Sequence, residues 1–122
     1  GVCMLDTTTA LLANASVDTP VYSVGLPAFG STITTGNKFS AYDIVRGIAL
    51  SDVAGTVLVY QAEASADLTA PFTNCTSTSY VVPAGGAGLD FTKVLTGKFI
   101  LVRFTNGAAG QARMRFFCWL ST

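Results

Sequence analysis

The sequence predicts an all-β protein: a single antiparallel β-sandwich, jelly-roll or immunoglobulin-like, with an extended N-terminal arm. Helical periodicity is nearly absent, whereas alternating runs rich in β-branched and aromatic residues recur at almost even intervals. Residues that favour turns, namely Gly, Pro, Asn and Asp, separate these runs. A chain of 122 residues has the size of one ordinary domain. We therefore expect about seven or eight strands in one sandwich domain over residues 24–122.

Residues 1–23 are predicted to form the arm. Residues 7–15 are the one stretch that could turn a helix, but the stretch is short, rich in threonine and poorly capped, so extended chain is favoured. Pro20 and Pro27 then interrupt the chain, and a proline cannot donate a hydrogen bond to a sheet. We expect the segment around Pro20 and Tyr22 to lie on a neighbouring protein.

The strands of the sandwich are predicted from period-two alternation. The predicted strands cover residues 31–35, 42–51, 56–63, 77–82, 89–94, 98–105 and 111–120. The glycine-rich residues 83–88 form a turn between two of them. A phosphate-binding loop would need a helix after the glycines, and the residues that follow alternate like a strand instead. Nucleotide binding is therefore not expected.

The last two strands are predicted to form a hairpin whose turn is Thr105, Asn106 and Gly107, since Asn and Gly tolerate the positive φ angles of such turns. Alternation assigns one face of this hairpin to the core: Ile100, Val102, Phe104, Ala112, Met114, Phe116, Cys118 and Leu120. The other face would carry Phe99, Leu101, Arg103, Gln111, Arg113, Arg115, Phe117 and Trp119.

Arginine beside aromatic residues on one sheet face is the composition that protein interfaces favour. Solvated arginines beside exposed rings are the alternative reading of the same pattern. The residues predicted to form an interface are Arg103, Arg113, Arg115, Phe117, Trp119, Pro20 and Tyr22.

The surface is predicted to be unusually neutral. Charged residues make up 11% of the chain against about 25% in an average protein, and the net charge is zero, which favours self-association or docking. Residues 1–67 carry two basic and six acidic side chains, and residues 68–122 carry five basic and one acidic. These halves either occupy different faces and polarise the molecule, or mix through antiparallel pairing and cancel.

Catalytic and metal-binding groups are not predicted. Without histidine, Ser-His-Asp and Cys-His systems are impossible, and the seven acids stand in no motif that suggests a shared cleft. Cys3, Cys75 and Cys118 lie far apart without a CxxC pair, so no zinc site is expected. Reduced thiols fit the odd count, with one disulfide and one free thiol as the alternative. The sequence therefore predicts no enzyme, no metal and no cofactor.

Nucleic acid and membranes are not expected as partners. The basic C-terminal strands with Phe99, Phe117 and Trp119 could imitate a stacking platform, but a neutral chain offers few further phosphate contacts. No apolar run approaches the roughly 18 residues of a membrane span. A carbohydrate site on an exposed tryptophan is an alternative, since β-sandwich modules use such platforms.

A family resemblance rests on two stretches, ALSDVAGTVLVYQA and VPAGGAGLDFTKVLTGKFILVRFTNGAAGQARMRF, within residues 47–117. They resemble a recurrent small protein of tailed bacteriophage genomes. The residues that match its pattern are Ser51, Asp52, Gly55, Thr56, Arg103, Thr105, Asn106, Gly107, Ala108 and Gln111. The sequence departs from the pattern at Val53, where a polar residue is usual, at Gly110, where alanine is commoner, and at Arg113, where a small residue is frequent.

The resemblance implies a β-sandwich virion structural protein of accessory or decoration type. The expected function is a non-enzymatic capsid decoration or cement protein on the capsid surface of the virion, binding the assembled shell. Its expected partners are the major capsid protein or another virion protein, and copies of itself in a homo-oligomer. The alternatives are a tail-tip receptor- or carbohydrate-binding module and a self-assembling extracellular filament subunit.

Overall fold

Two antiparallel sheets packed face to face make up the computed structural model, which describes residues 2–24 and 42–122. The described residues form nine strands: β1 Val2–Thr7, β2 Ser16–Asp18, β3 Tyr22–Ser23, β4 Ile44–Ser51, β5 Gly55–Ala62, β6 Thr76–Val82, β7 Leu89–Val94, β8 Phe99–Asn106 and β9 Met114–Ser121. One turn of 3-10 helix, Ser65–Asp67, lies between β5 and β6. The strand predicted at residues 31–35 lies outside the described residues.

The strand order is that of a jelly roll. Sheet I has the order β1-β9-β4-β7, and sheet II has the order β2-β8-β5-β6, with β3 also pairing with β8. The pairs are nested, because β1 pairs with β9, β2 and β3 pair with β8, β4 pairs with β7, and β5 pairs with β6. A long hairpin folded over on itself gives this nesting and produces two Greek keys. The predicted antiparallel sandwich is confirmed.

The core lies between the sheets and follows the predicted alternation. The largest fully buried side chains include Phe104, Phe116, Ile100, Leu120, Val45, Val57, Val59 and Val102. The rings of Phe104 in sheet II and Phe116 in sheet I meet edge to face, with centroids 5.6 Å apart. Each such side chain stabilises the fold by about 1.5–3 kcal/mol on burial. In β4, Gly47 leaves room for the ring of Phe91, which a Cβ there would overlap.

The N-terminal segment is extended, as predicted, but it lies within the sandwich. β1 pairs with β9 as an edge of sheet I, with a bulge between Cys3 and Leu5. β2 and β3 pair with β8 as an edge of sheet II. Between them the buried Thr19 donates its N–H to the Val102 carbonyl at 2.9 Å and accepts the Val102 N–H on Oγ1 at 3.0 Å. The three strands within residues 2–23 are therefore edge strands of the sandwich, so this segment is not a separate arm.

The predicted C-terminal hairpin is wrong. β8 belongs to sheet II and β9 to sheet I, so the chain crosses between the sheets after Asn106. Thr105 and Asn106 are the last residues of β8, and Asn106 is buried. Gly107 does not have a positive φ; it is glycine because a Cβ would collide with the Ala54 carbonyl oxygen. Two long strands joined by a short loop can pair with each other or with other strands, and here each is central in its own sheet.

Asn106 holds this crossover in place. Its side-chain amide Nδ2 donates to the carbonyls of Leu11 (3.2 Å), Leu12 (3.0 Å) and Ala109 (2.8 Å). Gln111, predicted to point outward, is buried; its Oε1 accepts the N–H of Leu11 at 2.8 Å. Both amides satisfy backbone groups of the loop before β2. Ala112, predicted as core, is exposed, because regular alternation begins only at Met114.

The two oppositely charged halves mix. The ion pairs found among the described residues are Asp6–Arg115, Asp18–Arg103 and Glu63–Lys98. Each joins an acid from residues 1–67 to a base from residues 68–122. Antiparallel pairing thus brings acids of the first half beside bases of the second half, which is the second of the two alternatives drawn from the sequence. These pairs do not divide the molecule into an acidic and a basic face.

Candidate binding surface

The predicted interface residues do not share one surface. Because β8 and β9 lie in different sheets, Arg103 points outward from sheet II, whereas Arg115, Phe117 and Trp119 point outward from sheet I. Arg113 precedes β9 at one end of the sandwich and is exposed. Pro20 and Tyr22 lie at the edge of sheet II, in and just before β3.

The outer side of sheet I carries the aromatic pair. The register sets Trp119 of β9 beside Arg46 of β4, Phe117 beside Ile48, and Arg115 beside Leu50. On the other side of β9, Cys3 and Asp6 of β1 pair with Trp119 and Phe117. We call this surface the aromatic face; its residues are Cys3, Asp6, Arg46, Ile48, Leu50, Arg115, Phe117 and Trp119.

The aromatic face has a half-buried centre and charged surroundings. The rings of Phe117 and Trp119 are 4.9 Å apart between centroids and tilted by 37°. The guanidinium carbon of Arg115 lies 5.5 Å from the Phe117 ring centre. Arg115 donates from Nη2 to Asp6 Oδ2 at 3.2 Å and from Nε to Oδ1 at 3.3 Å. Rings, arginine and aliphatic side chains in one patch form the composition that interface centres favour.

The outer side of sheet II is different, because the loop between β5 and β6 folds over part of it. Leu68 of this loop is buried, and Phe72 stacks on Tyr60 with ring centroids 4.3 Å apart and planes 16° apart. Leu101 of β8 is buried beneath them. We call this surface the covered face; its small apolar cluster consists of Tyr60, Ala62, Leu68, Phe72, Cys75, Phe99 and Leu101.

Arg103 is held inside the covered face. Its Nε donates to Asp18 Oδ1 at 2.7 Å and its Nη2 to Oδ2 at 2.9 Å, a bidentate pair. Its guanidinium carbon lies 4.8 Å from the Phe72 ring centre. The hydrogen bond to Asp18 raises the pKa of Arg103 further above its ordinary value. These contacts give Arg103 a structural role within the chain.

Tyr22 and Pro20 sit where the two sheets meet at an edge. The Tyr22 hydroxyl donates to the carbonyl of Cys3 at 3.4 Å, which connects β3 of sheet II to β1 of sheet I. The Tyr22 ring is half-buried against the main core. Pro20 is exposed, and its carbonyl accepts the Thr19 hydroxyl at 2.9 Å. Tyr22 therefore closes the sandwich, and Pro20 is available at its edge.

The thiols form no disulfide with one another. Cys3 is exposed, Cys75 is half-buried and Cys118 is buried. Burial, with a smaller effect of the nearby Cys3, raises the pKa of Cys118 to about 12. Its thiol therefore stays protonated at neutral pH and is a poor nucleophile. Burial and the Asp67 carboxylate likewise raise the pKa of Cys75.

Candidate metal sites and membrane-spanning helices are both absent from residues 2–24 and 42–122. Within these ranges no group of three or more Cys, Asp or Glu side chains comes together in a way that could hold a metal ion. No helix in the same ranges is long and apolar enough to cross a membrane.

Sequence reasoning missed part of the aromatic face. Arg46 and Ile48 of β4 join it, although alternation in the 42–51 run already indicated that both sides of this strand carry apolar residues. From that signal the sequence predicted a strand in the middle of a sheet, and β4 does lie between β9 and β7. The pairing of β4 with β9 could not be predicted from local sequence, because the two strands are far apart along the chain.

Comparisons with known proteins give one family and one solved structure. The family model described as "Uncharacterised protein YqxG N-terminal domain" matches residues 3–120. The crystal structure of PBSX exported protein XepA superposes with a TM-score of 0.71 at 16% identity, covering 98% of this chain and 36% of that one. At that identity the likeness shows the fold, and this chain spans little more than a third of XepA. No curated protein matches the sequence. The chain belongs to the family of the YqxG N-terminal domain.

Proposed function

We propose that this chain is a non-enzymatic, phage-associated structural protein that acts by contact with other proteins, and specifically that it is a capsid decoration or cement protein binding the assembled shell. The observation that carries the proposal is the aromatic face. Phe117 and Trp119 are only half-buried, and the described residues place no loop over them as Leu68 and Phe72 are placed over sheet II.

The comparisons support the phage association. XepA, a protein of known structure with a similar fold, is an exported protein of PBSX, a phage. The sequence motifs around Asp52 and Asn106 resemble those of accessory virion proteins. A jelly roll is also an architecture that viral capsid proteins use. The proposed place of action is the surface of the virion, with the major capsid protein or another virion protein as partner.

The aromatic face has the chemistry for many modest contacts. A half-buried tryptophan and phenylalanine lose little further side-chain entropy on binding, and the exposed Arg46 can pair with a carboxylate at the margin. A single contact of this size gives modest affinity. On a shell with many identical sites, contacts that form together become durable without any new interaction. Because the chain has few charged residues and no net charge, neighbouring bound copies repel each other little.

The test is binding to particles from the native source, measured by co-sedimentation. We expect Trp119→Ala and Arg46→Glu, on the aromatic face, each to lower occupancy about tenfold or more. Val81→Ala is the control: it removes a large apolar side chain that is 75% exposed on the outer side of sheet II. Circular dichroism would verify that all three variants are folded.

Two results would overturn the proposal. Saturable binding that the aromatic-face variants leave unchanged would assign the contact to another surface. Absence of binding to particles by the unchanged protein would reject the decoration role.

A tail-tip or carbohydrate-binding module is the second candidate, and the Phe117–Trp119 pair favours it because sugars stack on such rings. A tail-tip module would be present in few copies per particle and would be stabilised by its ligand. Quantitative mass spectrometry of purified particles separates the two, because a cement protein is expected in hundreds of copies. The filament alternative was based on a separation of charge between the two halves of the chain. The ion pairs instead join these halves within one molecule, so this support is lost.

A further inference from the structure

A groove opens at one end of the sandwich, next to the aromatic face, with which it shares Leu50 and Arg115. It has a volume of about 430 Å³ and lies between the β4–β5 turn, the β6–β7 turn and the start of β9. We call it the end groove; its lining includes Leu50, Asp52, Gly85, Arg113, Met114 and Arg115. This volume falls within the range of ligand sites, about 300–1,000 Å³. From the sequence, Arg113 and Arg115 were predicted as interface residues and the turn at residues 83–88 was judged not to bind phosphate, but these segments were not predicted to meet.

The walls of the end groove are tied together by backbone hydrogen bonds. The Asp52 carboxylate accepts the N–H groups of Ala112 at 3.0 Å and Arg113 at 3.2 Å. The N–H of Gly85 donates to the Asp52 carbonyl at 3.3 Å, and that of Gly86 to the Ser51 carbonyl at 2.9 Å. Three separate segments are thus fixed relative to one another. A site fixed in advance loses less entropy when it binds.

The end groove is lined by two guanidinium groups and one carboxylate. Arg113 is exposed, and its guanidinium has no ion pair among the residues that the structure describes. Arg115 lines the same groove while Asp6 holds it from the other side. The acid of the groove is Asp52, whose oxygens accept two backbone N–H groups; these bonds, and to a smaller extent the charge of Arg113, lower its pKa and keep it ionised. Leu50 and Met114 add an apolar surface beside these charges.

The donor set favours a carboxylate over a phosphate. A phosphate carries about −1.5 to −2 charges and binds best where several backbone N–H groups converge. Here the N–H groups of Gly85 and Gly86 are both spent on carbonyls of the β4–β5 turn. The Arg113 guanidinium, which forms no ion pair among the described residues, can match a single carboxylate, which arginine binds in a bidentate manner.

We propose that the end groove binds an acidic peptide segment of a partner protein, with a Glu or Asp carboxylate on Arg113 and a neighbouring apolar side chain on Leu50 and Met114. This inference rests on the proposed function, since it supplies the chemistry of the protein that the chain contacts. It adds a specific polar contact to the less specific aromatic face. The groove would then determine which partner surface the protein recognises, and the aromatic face would supply most of the area buried in the contact.

The experiment is a titration of the isolated, isotope-labelled chain with short capped peptides, followed by amide chemical shifts in NMR spectra. The probe is a hexapeptide with alternating Glu and Leu; the comparison peptides carry Gln or phosphoserine in place of Glu. We expect saturable shifts of Gly85, Gly86, Arg113 and Met114 with the Glu peptide. We expect Arg113→Gln to weaken binding at least about fivefold. Lys98→Gln, which removes a charge at the opposite end of β8, should change nothing.

Each other outcome overturns the inference. Equal binding of the Gln peptide would show an apolar site without charge recognition. Tighter binding of the phosphoserine peptide would assign the groove to phosphate, and unchanged affinity in Arg113→Gln would remove its guanidinium from the site. No saturable binding at millimolar peptide would reject the site. Because no particles are used, these failures differ from failure of the proposed function, which co-sedimentation tests.

Discussion

The outer faces of the two sheets carry the same kinds of side chain, but these side chains differ in how far they are exposed to solvent. On the covered face, Arg103 is bound by Asp18 and stacked on Phe72, with side-chain exposures of 25% for Arg103 and 36% for Asp18. On the aromatic face, Arg115 and Asp6 are 52% and 43% exposed and their contacts are longer. An arginine beside an aromatic ring is therefore not by itself a sign of an interface.

The loop between β5 and β6 makes the difference. It brings Leu68 and Phe72 over sheet II and so turns an outward strand surface into a small second core. The described residues supply no such cover over Phe117 and Trp119 of sheet I. Both faces depend on the N-terminal segment, because Asp6 comes from β1 and Asp18 from β2. The following expectations test this contrast, from the largest effect to the smallest.

Deletion of residues 1–20 should abolish the fold. It removes β1 and β2, leaves the edges of β9 and β8 without these partners, and deprives both arginines of their acids. We expect a loss comparable to the whole stability of a small domain, about 5–15 kcal/mol. A thermal melt followed by circular dichroism should show no cooperative transition. The control, Thr8→Ala with Thr9→Ala in the same segment, should melt like the unchanged protein. A folded truncated chain would restore the idea of a separate arm.

Leu68→Ala should destabilise the chain more than Ile48→Ala does. Leu68 is 4% exposed in the apolar cluster of the covered face, so its truncation should cost about 2–4 kcal/mol. Ile48 is half-buried on the aromatic face, and its truncation should cost about 1 kcal/mol. Urea unfolding of both variants measures the difference. Equal costs would mean that the two faces are equally covered.

Asp52→Asn should lower the melting temperature at neutral pH and flatten its fall in acid. The backbone N–H groups of Ala112 and Arg113 lower the pKa of Asp52 below its ordinary value of 3.8. A carboxylate with a lowered folded pKa stabilises the fold above its ordinary pKa and ceases to do so as the pH falls through the folded pKa. Melting curves between about pH 7 and about pH 2 test this, with Asp90→Asn at an exposed position as control. Parallel curves for unchanged protein and Asp52→Asn would contradict the assignment.

The two ion pairs should differ in strength. Asp18→Asn should cost about 1 kcal/mol, since the bidentate pair with Arg103 is short and partly shielded by Phe72. Asp6→Asn should cost no more than about 0.5 kcal/mol, because the pair with Arg115 is half exposed. Double-mutant cycles with Arg103→Gln and Arg115→Gln isolate each pair. A stronger Asp6–Arg115 coupling would reverse the contrast between the faces.

Much of the sandwich was predictable from local pattern. The strands from β4 to β9 lie within about three residues of the predicted runs, because period-two alternation marks which side chains are buried. The core sides of β8 and β9 were correct for the same reason. Their pairing was wrong, since alternation says nothing about which strand lies alongside. Residues 16–18 and 22–23 are too short to alternate visibly, so their place at the edge of sheet II left no trace in the sequence.

The candidate surface was predictable in part. Arg115, Phe117 and Trp119 alternate on one strand and do share a face. Arg103 was misplaced because the hairpin was assumed, and Arg46 was overlooked because it lies about 70 residues before its neighbour Trp119. The end groove depends on three distant turns held by backbone hydrogen bonds. Most of the groups in these hydrogen bonds belong to the backbone, which is the same in every residue, so no sequence pattern indicates them.

The nesting of the strand pairs has a consequence for biosynthesis. β1 is the first described strand to leave the ribosome, and its partner β9 is the last described one, so residues 2–7 have no native strand partner until residues 114–121 have been made. Closure of the sandwich is therefore expected to follow synthesis of the final strand, and pairings of such high contact order form slowly. Until then Met4 and the inward side of β8 stay open to water or to a chaperone.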